Sequence, residues 1–189
     1  VMQNSKTPVK TPLIEKFCNN KTTIICGSTW PKDESLLTKY IKSFPDKNYI
    51  IAPHEMNNIT KLEKETNGLL YSKANTKNIA MSNVLIIDSI GILSSIYQYG
   101  NIAYIGGGFG NGIHNILEAS VFGLPAIFGP NYLRFNEATS LINKKGAISI
   151  SNYKELVDAI SKLTNFNKSI CTQYVKENSG ATEIIISKI

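Results

Sequence analysis

Three observations predict an α/β domain built on a parallel sheet with helices on both faces. Short apolar runs recur along the chain, amphipathic segments separate them, and Gly- or Pro-containing turns follow several of the runs. Strands that are apolar throughout, rather than alternating, are buried on both sides, as in a parallel sheet covered by helices. A chain of 189 residues is long enough for one domain with a substantial core.

The elements follow in order. Strands are expected over 22–27, 49–52, 69–71, 84–88, 102–105, 126–128 and 147–150, each a compact run rich in Ile, Val, Leu or Phe. Helices are expected over 33–44, 58–66, 91–97, 112–122, 135–143 and 153–163, where apolar positions recur at helical spacing. The helix over 112–122 should end at Gly123-Leu124-Pro125, with Gly past the last turn and Pro beyond it. The segment 167–189 reads as one last helix, weakened by Gly180 and the β-branched run Ile184-Ile185-Ile186. Residues 1–20, polar and Pro-containing, read as a linker. The domain proper then covers 21–165 and a helical tail 166–189.

The segment of most chemical interest is Gly106-Gly107-Gly108-Phe109-Gly110-Asn111-Gly112, which follows an apolar strand and precedes an expected helix. Glycine permits positive φ and close approach of a ligand to the backbone. A helix N-terminus behind such a loop favours an anion such as phosphate. The spacing matches neither the dinucleotide fingerprint nor the P-loop. A tight strand-to-helix turn without a ligand is the competing reading.

Glu118, three residues after Asn115 and four after His114, would share one flank of that helix. There a carboxylate can accept both hydroxyls of a ribose; a solvated helix acid is the plain alternative. Leu117, Val121 and Phe122 would form its buried stripe, with Ile113 at the start. Gly27, Ser28 and Thr29 after the first strand can bind a carboxylate or phosphate, or cap the following helix. Asn131 and Tyr132 follow the strand over 126–128, at the sheet end where ligands bind in open parallel sheets.

Taken together, these residues resemble a known family. The run Gly106-Gly107-Gly108-Phe109-Gly110 with Gly112-Ile113-His114-Asn115 and Leu117-Glu118-Ala119 is similar to the 3-deoxy-D-manno-octulosonic acid (Kdo) transferases of lipopolysaccharide synthesis. So are Phe122-Gly123-Leu124-Pro125, Phe128-Gly129-Pro130-Asn131-Tyr132 and Phe135 with Glu137-Ala138. Gly27-Ser28-Thr29-Trp30-Pro31 with Asp33 and Glu34 forms a second block, and Asp88-Ser89-Ile90-Gly91 with Leu93 and Tyr97 a third. The resemblance implies a Rossmann-like, donor-binding C-terminal half of a GT-B glycosyltransferase that moves Kdo from CMP-Kdo to lipid A precursor. It further implies an inverting, metal-independent reaction, with no cofactor beyond the donor substrate.

The donor-binding residues so implied are Gly27, Ser28, Thr29, His54, Gly107, Gly108, Gly110, Gly112, His114, Asn115, Glu118 and Asn131. His54 departs from the pattern: the family has Arg-His-Pro where this chain reads Ala52-Pro53-His54-Glu55. A neutral His is a poor substitute for a permanent cation. No residue is assigned as catalytic base, which the resemblance places in an N-terminal domain outside this chain. The fragment alone is expected to be inactive. A donor domain of another GT-B transferase or epimerase using a UDP-sugar, or a non-catalytic nucleotide-binding module, is the alternative.

Composition narrows the partners. The formal charge is +6, carried by nineteen Lys and a single Arg, Arg134. Scattered Lys without clustered Arg or aromatic platforms does not describe a nucleic-acid reader. A basic surface suits an anionic membrane face or substrate, or reflects a Lys- and Asn-rich composition bias; the resemblance implies peripheral association of the longer protein with the cytoplasmic face of the inner membrane. No apolar run approaches the roughly 20 residues of a membrane span. Three cysteines without Cys-x-x-Cys spacing argue against a disulfide frame or metal site.

Overall fold

The computed structural model describes residues 9–179. A seven-stranded, wholly parallel sheet forms the centre: β1 (Thr23–Thr29), β2 (Asn48–Pro53), β3 (Leu69–Leu70), β4 (Val84–Ile86), β5 (Ile102–Ile105), β6 (Ala126–Phe128) and β7 (Ala147–Ser149). Its order is β3-β4-β2-β1-β5-β6-β7, with Ile24 paired to both Tyr49 and Ile102. The helices are α1 (Pro12–Cys18), α2 (Pro31–Ser43), α3 (Ile59–Thr66), α4 (Leu93–Ile96), α5 (Leu117–Ser120), α6 (Asn136–Asn143), α7 (Tyr153–Leu163) and α8 (Ser169–Glu177).

Alternate residues of the central strands feed two cores, one on each sheet face. Ile25, Ile50, Leu85 and Ala103 pack with Ile14, Ile96, Leu141 and Cys171. Ile24, Ile51, Ile102 and Tyr104 pack with Leu37, Leu62 and Leu156. Helices therefore cover both faces, as the apolar strands predict.

The residues expected to be a linker contain a helix instead. α1 begins with Pro at its first position, and its Ile14, Phe17 and Cys18 are buried. Asn48 Nδ2 donates to the Phe17 carbonyl at 2.7 Å, satisfying a C-terminal acceptor, and Thr11 N donates to Tyr99 Oη. Over these residues the chain belongs to the domain. The tail is helical over α8, whose Cys171, Tyr174 and Val175 are buried; Gly180 and the Ile184–186 run lie outside the described residues.

The helix expected over 112–122 is the second correction, since α5 begins only at Leu117 and spans four residues. Residues 113–115 are not helical, and His114 N donates instead to the Gly106 carbonyl at 3.1 Å. Asn115 Oδ1 then accepts from Leu117 N at 3.0 Å and caps the short helix. Its buried residues are Ala119 and Ser120, with Ile116 just before; Leu117, Val121 and Phe122 are only partly covered.

The topology locates the crevice. From β1 the chain adds β2, passes to the edge as β3, comes back between them as β4, and then adds β5, β6 and β7 on the other side of β1. The carboxyl ends of β1 and β5 thus flank the point where strand order reverses, where open α/β sheets bind ligands. β1 runs into Trp30 and α2, and β5 runs into the glycine loop.

Candidate functional site

β1 ends irregularly. Its register with β2 shifts between Gly27 and Thr29, and Ser28 takes φ 53°. The glycine loop is wedged between this end and the end of β6. A Cβ on Gly106 would lie 2.1 Å from the Ser28 carbonyl oxygen, and one on Gly108 2.6 Å from Gly129 N. Close backbone packing therefore accounts for part of the glycine content.

One carboxylate anchors the loop from beneath. Asp33, in the first turn of α2 and fully buried, accepts from Trp30 N and Gly107 N at 2.9 Å each. It also accepts from Tyr104 Oη at 2.8 Å. Burying a charge is tolerated when every lone pair facing a donor is used, and here three donors converge. Asn131 holds the loop from the β6 side, its N donating to the Gly108 carbonyl at 2.9 Å and its Nδ2 to the Gly110 carbonyl at 2.7 Å. Within the loop, Gly110 N and Gly112 N both donate to the Gly107 carbonyl.

Three aromatic rings gather above. Trp30 Nε1 donates to His114 Nε2 at 3.0 Å. The His54 ring stacks on Trp30 at 4.5 Å between centroids and lies 4.5 Å from that of His114. Accepting at Nε2 requires His114 to be neutral there. Its pKa is lowered, first by burial and next by His54, while Asp33 acts in the opposite direction. Environment and hydrogen bond favour the same uncharged form.

The twelve sequence-derived residues fall into four sets. Gly107, Gly108, Gly110, Gly112, His114, Asn131 and His54 surround the loop and Trp30. Asn115 and Glu118 form a pair, with Asn115 Nδ2 donating to Glu118 Oε1 at 3.2 Å; Ser28 lies half-buried at the β1 end. Gly27 and Thr29 serve packing. Tyr97 covers Gly27, so that a Cβ there would meet the phenol oxygen at 2.0 Å. Buried Thr29 Oγ1 donates to Glu34 Oε1 at 3.1 Å, beside a carboxyl whose pKa burial pushes up. Sequence reasoning placed Asp33 in a motif without seeing its anchoring role, and missed the Trp30–His114 bond. The acid pair Asp33-Glu34 just after the Trp30-Pro31 helix start was the available signal.

No group of three or more His, Cys, Asp or Glu placed to hold a metal occurs among the described residues. Nor is any helix there long and apolar enough to cross a membrane. Cys18, Cys26 and Cys171 are free and buried.

No family model matches the chain. It is 29% identical over 153 residues to the 3-deoxy-D-manno-octulosonic acid transferase of Aquifex aeolicus, covering 78% of this chain and 43% of that protein. To the transferase of the same description from Rickettsia bellii it is 30% identical over 188 residues, covering 93% of this chain and 45% of that one. The chain thus spans less than half the length of these relatives. Among solved structures it is similar to the C-terminal CMP-Kdo binding domain of WaaA from Acinetobacter baumannii. That match has a TM-score of 0.70 at 19% identity, covering 92% of this chain and 97% of the other. By sequence the chain is a relative of the 3-deoxy-D-manno-octulosonic acid transferases over most of its length, and its fold is that of the C-terminal domain of a GT-B glycosyltransferase.

Proposed function

We propose that the chain is the donor-binding domain of a glycosyltransferase that transfers Kdo from CMP-Kdo to a lipid A precursor, with inversion and without a metal. One observation carries this reading. The loop Gly106–His114, with Asn115 and Glu118 just beyond it, lies at the strand-order reversal of a chain whose relatives are Kdo transferases. The similar solved domain, described as binding CMP-Kdo, adds support.

In this scheme the loop faces the phosphate of CMP, the leaving group. A four-residue helix has little macrodipole, so stabilisation of the departing charge falls to loop N–H groups other than those of Gly107, Gly110, Gly112 and His114, which donate to Asp33 or within the loop. Asp33 and Asn131 hold that backbone in place before the donor arrives, so little reorganisation accompanies reaction. Glu118 accepts the ribose hydroxyls and Asn115 orients the carboxylate. The base that deprotonates the acceptor comes from another part of the longer protein across the crevice. The basic surface suits peripheral attachment of that protein to the anionic cytoplasmic face of the inner membrane.

A transfer assay with CMP-Kdo and lipid A precursor tests the assignment. The longer protein is expected to move Kdo, and the 189-residue chain alone is expected to be silent. Turnover by the longer protein with a UDP-sugar and none with CMP-Kdo would overturn it.

A further inference from the structure

A cavity of about 530 Å³ opens between the first turn of α2 and the glycine loop; Gly107, Gly110, Gly112 and His114 line its loop side, and neither Ser28 nor Glu118 does. Its apolar wall is Trp30, Phe109 and Ile113, and Lys32 and Arg134 stand in its lining. Arg134 is the only arginine in the sequence. It has no carboxylate partner among the described residues. Its guanidinium donates to the Asn111 carbonyl and lies over the Phe135 ring, 5.1 Å from the centroid. Gly112 makes this placement possible: with φ 132°, it leaves open a position where a Cβ would lie 2.6 Å from Arg134 Nη2. Lys32 is exposed and likewise makes no ion pair among the described residues. The one carboxylate in the lining, Asp33, is already occupied by Trp30 N, Gly107 N and Tyr104 Oη.

We propose that this cavity, which shares the glycine loop with the phosphate site of the proposed donor domain, is an oxyanion subsite adjoining it. In it Arg134 and Lys32 hold the negative group of a saccharide whose ring packs on Trp30 and Phe109. A guanidinium fixed by one hydrogen bond and an aromatic face keeps several donors in a rigid fork suited to carboxylate or phosphate. An apolar wall with a few convergent polar groups is the usual make-up of a small-molecule site. Two sources share the chemistry: the carboxylate of the donor sugar and a phosphate on the acceptor saccharide. Naming these sources rests on the transferase reading; the subsite itself rests on the cavity.

The chain has one Trp and one Arg, so ¹H–¹⁵N spectra give each a single identifiable side-chain signal, Trp30 Nε1–H and Arg134 Nε–H. Free Kdo and glucosamine 1-phosphate are titrated separately, with Kdo methyl ester as the uncharged control. Saturable shifts of both signals are expected with at least one anion and not with the ester. Response to Kdo alone assigns the donor carboxylate, response to the phosphate alone assigns the acceptor, and response to both supports the shared chemistry. Arg134→Gln should weaken binding about tenfold or more, and Arg134→Lys and Lys32→Gln less, each in protein with a wild-type unfolding midpoint. Absence of any shift with either anion, or equal affinity in folded Arg134→Gln and wild type, would overturn the subsite. CMP titrated in the same spectra keeps the two readings apart. CMP binding without sugar-anion binding removes the subsite alone. Sugar-anion binding without CMP binding leaves the subsite and counts against the donor domain.

Discussion

The indole nitrogen of Trp30 donates to His114 Nε2 across 3.0 Å, joining the end of β1 to the loop that follows β5 on opposite sides of the strand-order reversal. The bond needs an uncharged acceptor nitrogen. Burial, His54 and the hydrogen bond all disfavour protonation of His114, outweighing the attraction of Asp33.

Acid should therefore loosen this junction. A histidine whose folded pKa lies below its unfolded value contributes stability above the unfolded pKa and loses it as pH falls through that value toward the folded one. The unfolding midpoint is expected to fall as pH drops below about 6.5, and to fall less in His114→Gln, which lacks the titrating ring. Thermal unfolding from pH 7.5 to 5.0 checks this. Identical pH dependence in the two proteins would assign the loss to other groups.

Asp33 is the support beneath the loop. Replacing it by Asn puts an amide donor where the Trp30, Gly107 and Tyr104 donors converge, at a cost of about 3 kcal/mol. Tyr104→Phe removes one neutral donor to the carboxylate and should cost less, about 1–2 kcal/mol. Urea unfolding of the two single variants and the double variant gives both values and their coupling.

The glycines of the loop are not equivalent. Gly108→Ala forces a Cβ against the Gly129 backbone and should destabilise by about 3 kcal/mol. At Gly110 the only atom near a new Cβ is the Gly107 carbonyl oxygen at 3.6 Å, so Gly110→Ala should cost under about 1 kcal/mol. Paired denaturation curves decide this, and equal losses would contradict the packing described.

Helix α1 belongs to the domain. Ile14 is fully buried, so Ile14→Ala should cost about 2–5 kcal/mol. A change near zero would return the segment to linker status.

The strands were legible because runs such as Ile102–Ile105 and Ala126–Phe128 are apolar on both faces, and their bounds agree with the sequence reading. α7, with its strong apolar face and the Asn152 cap bonded to Glu155 N, was equally plain. α1 was missed because three buried side chains are set among polar ones in a Pro-containing stretch, whereas Pro12 is in fact a first helical residue. The segment before α5 misled for the opposite reason. Ile113 and Ile116 have helical spacing, yet Gly106 captures His114 N and Asn115 caps Leu117, both non-local or conformational facts. The glycine loop was recognised as a site, but the sequence did not reveal which glycines face neighbouring backbone and which face open space. The bond of Arg134 to Asn111 over Gly112 appears only in three dimensions.

Calorimetric titration of CMP into the 189-residue chain, with UMP and UDP as controls, tests the donor-domain assignment most directly. CMP is expected to bind in preference to both uridine nucleotides, and Glu118→Ala is expected to weaken it by tenfold or more, about 1.4 kcal/mol. Preference for UDP, or CMP affinity unchanged in a folded Glu118→Ala protein, would contradict the account.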